Sequence, residues 1–323
     1  MIEDSEINML YRSILGRSPE SDEVYTEIKE HIDSIENLRK RLLSSNEFKL
    51  KFVEISSQIE NSIPNVNNPI VFLHIPKCAG TSIDKYLESA FLGSKINFEK
   101  FNLLEQQSLN QIRKYKIHSG HFDFNSLKAL GLASPPTTIL SCFREPMSRL
   151  ESIYNYFRAH SESYCVRKSL DLPLIAKRTT PEEFFFNEKV FNNGYFNNCY
   201  VRSFLSSTGL PKQRWEKSTK GELANIQLKE LTEALFNLKN VNVFILNENL
   251  ESELNEFISS INGNPSDLPH LQDTLNKSKT DSNMELIEKV CFNADTKEKL
   301  RPLVEYDLVL FKILNLFKNN RAS

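Results

Sequence analysis

The chain has 323 residues, of which 40% are hydrophobic and 25% are charged, a balance typical of globular proteins that excludes a largely disordered chain. Its formal net charge is −2, so no overall positive field attracts nucleic acid, and any anion site has to be local. No run approaches the roughly 20 apolar residues that cross a bilayer. We therefore expect neither a nucleic-acid partner nor a membrane-spanning segment.

The cysteines and the acidic start of the chain indicate its compartment. Five cysteines are widely spaced, without any Cys-x-x-Cys pair, which argues against a disulfide framework and against a structural zinc site. The first residues are acidic, whereas a secretory leader begins with basic residues and continues with an apolar stretch. We expect a cytoplasmic protein with reduced thiols.

The first 60 residues predict a separate helical domain. They contain eight Lys or Arg against thirteen Asp or Glu, and apolar residues recur at helical spacing from Ile7 to Ile14. Gly16 ends this helix, and Ser18-Pro19 predicts the start of the next one. We expect a small bundle of three or four helices.

A segment rich in Asn and Pro follows the bundle and predicts a linker over residues 61–69. The catalytic domain is then expected to span 70–323. The predicted organisation is therefore a helical accessory domain at 1–60, a linker, and one larger domain.

Buried strands, each followed by a helical pattern, are predicted at residues 70–75, 137–143 and 241–246. Repeated strand–helix units imply a parallel sheet with crossover helices. The expected fold class is α/β, with a P-loop-type parallel sheet flanked by helices and preceded by a small all-α domain. A long amphipathic helix is predicted near the C-terminus, over 300–317.

The loop after the first strand predicts an anion site. It reads His-Ile-Pro-Lys-Cys-Ala-Gly-Thr-Ser over residues 74–82 and contributes the candidates Lys77, Cys78, Ala79, Gly80, Thr81 and Ser82. A turn that leads into a helix leaves backbone N–H groups and the positive helix end at one place. Lys77 adds a full charge, Gly80 permits close approach of a ligand, and Thr81 and Ser82 add hydroxyl donors.

This loop is not a Walker A motif. That motif places the lysine after the last glycine, whereas Lys77 precedes Gly80 by three residues. No apolar strand ends in a convincing Asp for Mg²⁺, so the expected ligand is a phosphate-like anion bound without a metal. An ordinary β–α turn with a surface lysine is the alternative at this point.

A second candidate anion site follows the second predicted strand. Arg144 leaves that strand, Pro146 suits the first position of a helix, and Ser148 and Ser152 lie opposite the apolar stripe of this helix. Arginine can bind two oxygens of one phosphate, although a solvated helix face with a stray arginine gives the same pattern. Ligands of open α/β sheets lie at the carboxyl ends of strands, so the two sites together predict a ligand with two separated phosphate-like groups.

Both motifs resemble those of the sulfotransferases that use 3′-phosphoadenosine 5′-phosphosulfate (PAPS), and most closely the heparan and uronyl 2-O-sulfotransferases. The resemblance covers residues 68–318. It implies that the loop with Lys77 binds the 5′-phosphosulfate and that Arg144 with Ser152 binds the 3′-phosphate. It also implies that His121, in Gly120-His121, is the catalytic base.

The sequence departs from this family at two positions. Cys78 stands where the family usually has Thr, so one hydroxyl contact to the donor is lost. Ser119 stands where the heparan 2-O enzymes have the first His of a His-Gly-His motif. The resemblance therefore implies only His121 as the base, and it does not imply a helper role for His118.

The N-terminal segment is similar to a small helical domain found in bacterial surface-polysaccharide enzymes and in phycobilisome-linker repeats. The matching residues lie at 10–19 and 43–48. This resemblance implies a bacterial enzyme of polysaccharide biosynthesis, with a protein partner as one role for these helices.

The resemblance implies transfer of a sulfuryl group from PAPS to a carbohydrate hydroxyl, with adenosine 3′,5′-bisphosphate as the product and no metal. Two other functions remain open from the sequence. A nucleotide-dependent kinase of related fold would need Mg²⁺ and ATP, and a scaffold or nucleotide-binding protein would bind without catalysis. Weaker signals are basic residues at 212–220 around Trp215, which either cover the nucleotide or form a solvated loop, and a basic set at 158–178.

Overall fold

The structure is a computed structural model. It describes residues 2–50, 69–99, 102–206, 210–219, 221–261, 264–265, 267 and 281–321, apart from the side chains of 109–110 and 317–321. Residues 61–68 of the predicted linker lie outside these ranges. The chain divides into two compact units, one of residues 1–62 with 316–323 and one of residues 63–315. The predicted domain boundaries at 60 and 70 stay predictions.

In its described residues, the first unit contains helices that bury apolar side chains. Its helices are α1 (Asp4–Leu15), α2 (Asp22–His31) and α3 (Ile35–Ser44), and residues 46–50 are also helical. Gly16 ends α1 in the left-handed region, with φ 69°, as predicted. The predicted start of α2 at Ser18-Pro19 is wrong. The helix begins three residues later, with Ser21 as N-cap, and the Ser18 hydroxyl instead accepts a hydrogen bond from Nε of Arg12 (3.1 Å).

The second unit contains the sheet and the helices that cover it. Its strands are β1 (Ile70–Leu73), β2 (Ile96–Glu99), β3 (Ile117–Gly120), β4 (Thr138–Phe143) and β5 (Val243–Leu246). Its helices up to the middle of the chain are α4 (Gly80–Ala90), α5 (Leu109–Ile112), α6 (Phe124–Ala129), α7 (Pro146–Arg158), α8 (Glu162–Lys168), α9 (Asp171–Arg178), α10 (Pro181–Phe185), α11 (Glu188–Phe191) and α12 (Cys199–Ser203). The later ones are α13 (Leu228–Asn237), α14 (Leu250–Ser260), α15 (Ala294–Leu300) and α16 (Glu305–Arg321). The last of these runs to the end of the described chain, and its residues from 316 onwards belong to the first unit.

The five strands form one parallel sheet in the order β2-β3-β1-β4-β5. The last residue of β1, Leu73, is level with Gly120 of β3 and with Ser141 of β4. β3 and β4 lie on either side of β1 and run parallel to it, so the carboxyl ends of β1, β3 and β4 meet at one edge. This is the place where open α/β sheets bind ligands.

The sheet is buried, as the continuous apolar runs in the sequence predict. Every residue of β1 and β4 is buried, and the apolar stripes that the sequence predicts on α4 and α7 are buried as well, including Leu150 and Phe157. The expected α/β class is therefore confirmed. Within the described ranges, no helix is long and apolar enough to cross a membrane.

Two strands of the sheet, β2 and β3, were not predicted from the sequence. β3 is fully buried but contains polar residues, including His118, and β2 lies at the edge of the sheet with one residue, Phe98, 41% exposed. Neither has the apolar run on which the prediction depends. The helix expected over 300–317 is a 3₁₀ turn at Arg301–Val304 followed by α16.

Asp123 joins three parts of the second unit through one buried carboxylate. It caps α6 by accepting the N–H of Ser126 (2.9 Å), and it also accepts the N–H of Leu210 (2.7 Å) and the amide of Asn102 (3.1 Å). Asp123 is fully buried. The carboxylate also accepts the Ser126 hydroxyl (2.9 Å) and pairs with Lys212 (3.7 Å), so its loss would remove the acceptor of several donors at once.

We expect Asp123→Ala to lower the free energy of unfolding by about 3 kcal/mol, since a lost cap costs about 1 kcal/mol and each unpaired buried donor adds to it. Asn293→Ala is the matched control, because Asn293 caps α15 through Thr296 alone (2.8 Å). It should cost about 1 kcal/mol. Urea unfolding followed by the fluorescence of the single tryptophan measures both; equal losses would contradict the prediction.

Candidate functional site

The loop between β1 and α4 has the backbone geometry of an anion site. Lys77 and Ala79 adopt positive φ values of 70° and 55°, a conformation that L-residues rarely adopt. α4 begins at Gly80 without a side-chain cap, and the amides of Ala79 and Gly80 donate to no other described residue. Two N–H groups and the positive end of an 11-residue helix therefore remain for an acceptor.

Gly80 is required by packing within the protein itself. A Cβ on this residue would lie 1.6 Å from Nε2 of His74, so the glycine makes room for an imidazole of the protein itself. His74 stacks on Phe72 and lies 4.3 Å, between ring centroids, from His121. The loop is thus packed against the ring that follows β1.

The loop side chains divide between a cavity and the interior. Lys77 and Thr81 line the cavity, and Nζ of Lys77 lies 4.2 Å above the ring of Tyr156. Ser82 and Cys78 are buried and do not line it. The Cys78 thiol, whose pKa is raised by burial, lies 3.5 Å from the hydroxyl of Tyr200. The replacement of Thr by Cys at position 78 therefore changes an interior contact.

The cavity has a volume of about 690 Å³ and opens at the carboxyl edge of the sheet. Its walls come from α4, from the ends of β2 and β3, and from the segments around 156–168 and 214–216. Its charged and aromatic lining comprises His74, Lys77, Asp84, Lys85, Glu88, Phe98, Glu99, His121, Tyr156, Tyr164, Lys168, Arg214, Trp215 and Glu216. In the described ranges, no group of three His, Cys, Asp or Glu side chains is placed to hold a metal ion.

His121 lies on the cavity wall directly after β3. Its Nδ1 is 2.8 Å from the carbonyl oxygen of His74, and since a carbonyl only accepts, Nδ1 donates. In the neutral ring, Nε2 is therefore the basic nitrogen. Gly120 before it is required by packing, because a Cβ would lie 1.8 Å from the carbonyl oxygen of Glu99. The Gly-His pair thus combines close strand packing with a base in the cavity.

His118 belongs to the interior rather than to the cavity. Its ring is buried beside the amide of Asn97 (3.3 Å), and burial lowers its pKa to about 4. Ser119, its neighbour, faces the cavity and donates to Asp84 of α4. These positions agree with a site that has His121 but not His118.

Arg144 and Ser152 lie outside the cavity, at the end of β4 and on α7. The hydroxyl of Tyr200 donates to the carbonyl of Arg144 (2.6 Å) and accepts its N–H (3.2 Å). The same hydroxyl contacts Cys78, so the two motifs meet at one side chain. In the described part of the chain, the Arg144 guanidinium has no hydrogen bond or ion pair. The Tyr200 hydroxyl thus joins the Cys78 thiol to the main chain of Arg144, while the cavity contains only the Lys77 end.

The segment at 210–217 partly covers the cavity. Trp215 and Arg214 line it, and Arg214 pairs with Glu216 (3.2 Å). Lys212 instead bonds Ser126 (2.7 Å) away from the cavity. Lys220 falls outside the described residues. Of the basic set at 158–178, only Lys168 lines the cavity.

Buried side chains hold these parts of the site in place. Asn193 donates to the carbonyls of Trp215 (3.3 Å) and Lys217 (3.0 Å), and the Tyr195 hydroxyl donates to the carbonyl of His121 (3.2 Å). Arg149 is fully buried beneath the loop. No spacing in the sequence marks these residues, since their partners are distant along the chain.

No protein-family model matches the chain, and no curated protein matches it. Among solved structures, mouse sulfotransferase SULT7A1 complexed with PAP is similar, at 12% sequence identity and a TM-score of 0.39. The match covers 80% of this chain and 93% of that chain. A likeness this distant carries no argument about the reaction or the ligand of this chain.

The buried, neutral His118 makes stability depend on pH. Its pKa is about 4 in the folded protein and ordinarily about 6.5. The unfolded chain therefore takes up a proton as the pH falls from 6.5 to 4, whereas folded His118 stays neutral, and stability is lost across this window. The loss amounts to about 3 kcal/mol.

His118→Asn should remove that loss, so the unfolding free energies of variant and wild type should converge as the pH falls from 6.5 to 4. Urea unfolding at half-unit intervals of pH measures the difference. Between pH 7 and 8 the histidine is neutral in both states, and the two curves should run parallel. Curves that stay parallel down to pH 4 would contradict the neutral, buried assignment.

Proposed function

We propose that this chain is a sulfotransferase that moves a sulfuryl group from PAPS to a hydroxyl of a carbohydrate, without a metal. One observation carries the proposal: the loop with Lys77 and the strand end with Arg144 follow neighbouring parallel strands, and Tyr200 joins them. His121 follows the strand on the other side of β1 and lines the same cavity as Lys77.

The donor would bind through its two anionic ends. Lys77 and the amides of Ala79 and Gly80 would hold the 5′-phosphosulfate, because helix N-termini and lysines favour anions. Arg144 and Ser152, eight positions apart, would hold the 3′-phosphate. The accessible Arg144 guanidinium supports this role, since no described side chain competes for it.

The reaction would be an in-line displacement at sulfur. The acceptor oxygen forms a bond to sulfur while the bond from sulfur to the bridging oxygen of the 5′-phosphate breaks. The proton of the acceptor passes to Nε2 of His121, and the electron pair leaves with adenosine 3′,5′-bisphosphate. Lys77 and the loop amides would stabilise the charge that grows on the bridging oxygen. Nδ1 of His121 already donates to His74, which leaves Nε2 as the acceptor.

A carbohydrate acceptor is supported by the resemblance of the motifs and by the character of the cavity. Its volume of about 690 Å³ lies in the usual range for small-molecule sites. Its wall contains carboxylates, such as Asp84 and Glu99, as well as aromatic rings, such as Trp215 and Phe98. Transfer of labelled sulfate from PAPS to a panel of bacterial cell-envelope glycans tests this part.

Donor binding can be tested without an acceptor. Adenosine 3′,5′-bisphosphate should stabilise the chain without Mg²⁺, by about 2.7 kcal/mol at 100 times its Kd. Stabilisation by Mg·ATP alone would indicate a kinase, and stabilisation by neither would indicate a scaffold.

Two variants test the binding of the two ends of the donor separately. Arg144→Ala should weaken adenosine 3′,5′-bisphosphate roughly 10- to 100-fold and 5′-AMP very little, because only the bisphosphate has the 3′ group. Lys77→Ala should weaken both nucleotides alike and lower kcat about 100-fold. Lys239→Ala is the matched control, since Lys239 also lies over an aromatic ring, that of Phe236, at 4.3 Å. If Arg144→Ala weakened both nucleotides equally, the assigned 3′ site would be wrong.

His121→Ala should lower kcat by about 100-fold or more, because it removes the base, and should leave the Kd for adenosine 3′,5′-bisphosphate near that of the wild type. His118→Asn is the control on the same part of the chain and should retain turnover. Single-turnover assays with PAPS and calorimetric titration measure the two quantities. Loss of nucleotide binding in His121→Ala would show that the histidine is structural.

A further inference from the structure

Arg149 is a large charged side chain without access to water. It lies on α7, and only 1% of its surface is exposed. Its Nε donates to the carbonyl of Pro76 (2.9 Å), and its Nη2 donates to the carbonyl of Tyr195 (2.8 Å) and to the sulfur of Cys199 (3.3 Å). The guanidinium therefore donates its hydrogen bonds to main-chain oxygens and to a thiol.

Burying this charge is costly. An isolated ion loses several kcal/mol of hydration, and an apolar side chain of similar volume is often more stable in such a place. Within the described residues, no carboxylate lies within ion-pair distance of Arg149. The nearby carboxylate of Asp307 is itself an acceptor for the N–H groups of Tyr200 (3.1 Å) and Val201 (3.0 Å). Stability alone does not account for an arginine here.

The two carbonyls that Arg149 binds belong to the two halves of the site. Pro76 directly precedes Lys77 in the anion loop. Tyr195, through its hydroxyl, donates to the carbonyl of His121 (3.2 Å). A single guanidinium thus begins a continuous chain of hydrogen bonds from the loop, through Tyr195, to the main chain of the base.

We propose that Arg149 is a positioning residue that fixes Lys77 and His121 relative to each other. The proposal rests on the proposed transfer reaction, in which these residues act on opposite sides of one sulfur. A displacement of about 1 Å between reacting groups costs about 100-fold in rate. Lysine cannot replace arginine, because it has one nitrogen whereas two different nitrogens of the guanidinium bind the two carbonyls.

The test compares Arg149→Lys, Tyr195→Phe and the double variant in the full-length protein. Arg202→Lys is the matched control, because Arg202 is also buried and binds two carbonyls, those of Asn197 (2.8 Å) and Ala224 (2.7 Å), but does not line the cavity. We expect kcat at saturating PAPS to fall roughly 100-fold in Arg149→Lys and roughly 10-fold in Tyr195→Phe, with Arg202→Lys within about threefold of wild type.

The double variant separates positioning from a general loss of stability. If both residues act in one chain, Arg149→Lys with Tyr195→Phe should be no slower than Arg149→Lys alone. Effects that multiply, or an Arg149→Lys rate equal to that of Arg202→Lys, would overturn the proposal. Should Arg149→Lys fail to fold, Tyr195→Phe decides: an unchanged kcat overturns the link to His121, and a tenfold loss supports it.

Hydrogen–deuterium exchange provides a readout that does not depend on activity. Arg149→Lys should speed exchange at the hydrogen-bonded amide of Cys78 in the loop and also at that of His121 after β3, with β4 unchanged. Faster exchange at only one of these segments, or at neither, overturns the proposal. If the wild type transfers no sulfuryl group to any acceptor, the proposed function fails, whereas this exchange experiment still decides whether Arg149 joins the two segments.

Discussion

Parallel pairing of β1 with both β3 and β4 is the constraint on which the candidate site depends. It brings three strand ends, and therefore the loop with Lys77, the base candidate His121 and the donor-site candidate Arg144, to one edge of the sheet. An antiparallel neighbour would point its end the other way and remove one of the three. The residues of the site are far apart along the chain, and only this topology makes them neighbours.

Adjacent strand ends bring the candidate residues close together, but a reaction also requires that their relative positions are fixed. Polar side chains in the interior fix these positions. The Tyr200 hydroxyl bonds both the N–H and the carbonyl of Arg144, and Arg149 bonds the carbonyls of Pro76 and Tyr195. Each contact satisfies a main-chain group that the irregular loops leave unpaired. The same hydrogen bonds that allow these loops to be buried therefore also position the site.

The strands β1, β4 and β5 could be predicted because each is a continuous apolar run, and the anion loop could be predicted because its residues are adjacent in sequence. β3 could not, since its polar residues His118 and Ser119 are buried by partners that the sequence does not place near them. Arg149 shows the same limit. A charged residue on a helix predicts exposure, and its burial depends on the carbonyls of Pro76 and Tyr195, which lie 73 and 46 positions away.

Two features of the site are unfavourable for folding: the strained backbone of the loop and the buried charge of Arg149. Together they orient the loop before a ligand binds. Left-handed conformations at Lys77 and Ala79 cost about 1–2 kcal/mol each, and they persist only where surrounding contacts oppose relaxation. Arg149 beneath the loop and His74 against Gly80 supply such contacts from the protein itself. The amides of the loop are then oriented before an anion arrives, so the cost of ordering them is met in folding and not at the moment of reaction. A loop that a ligand had to order would bind more weakly, because each binding event would bear that cost.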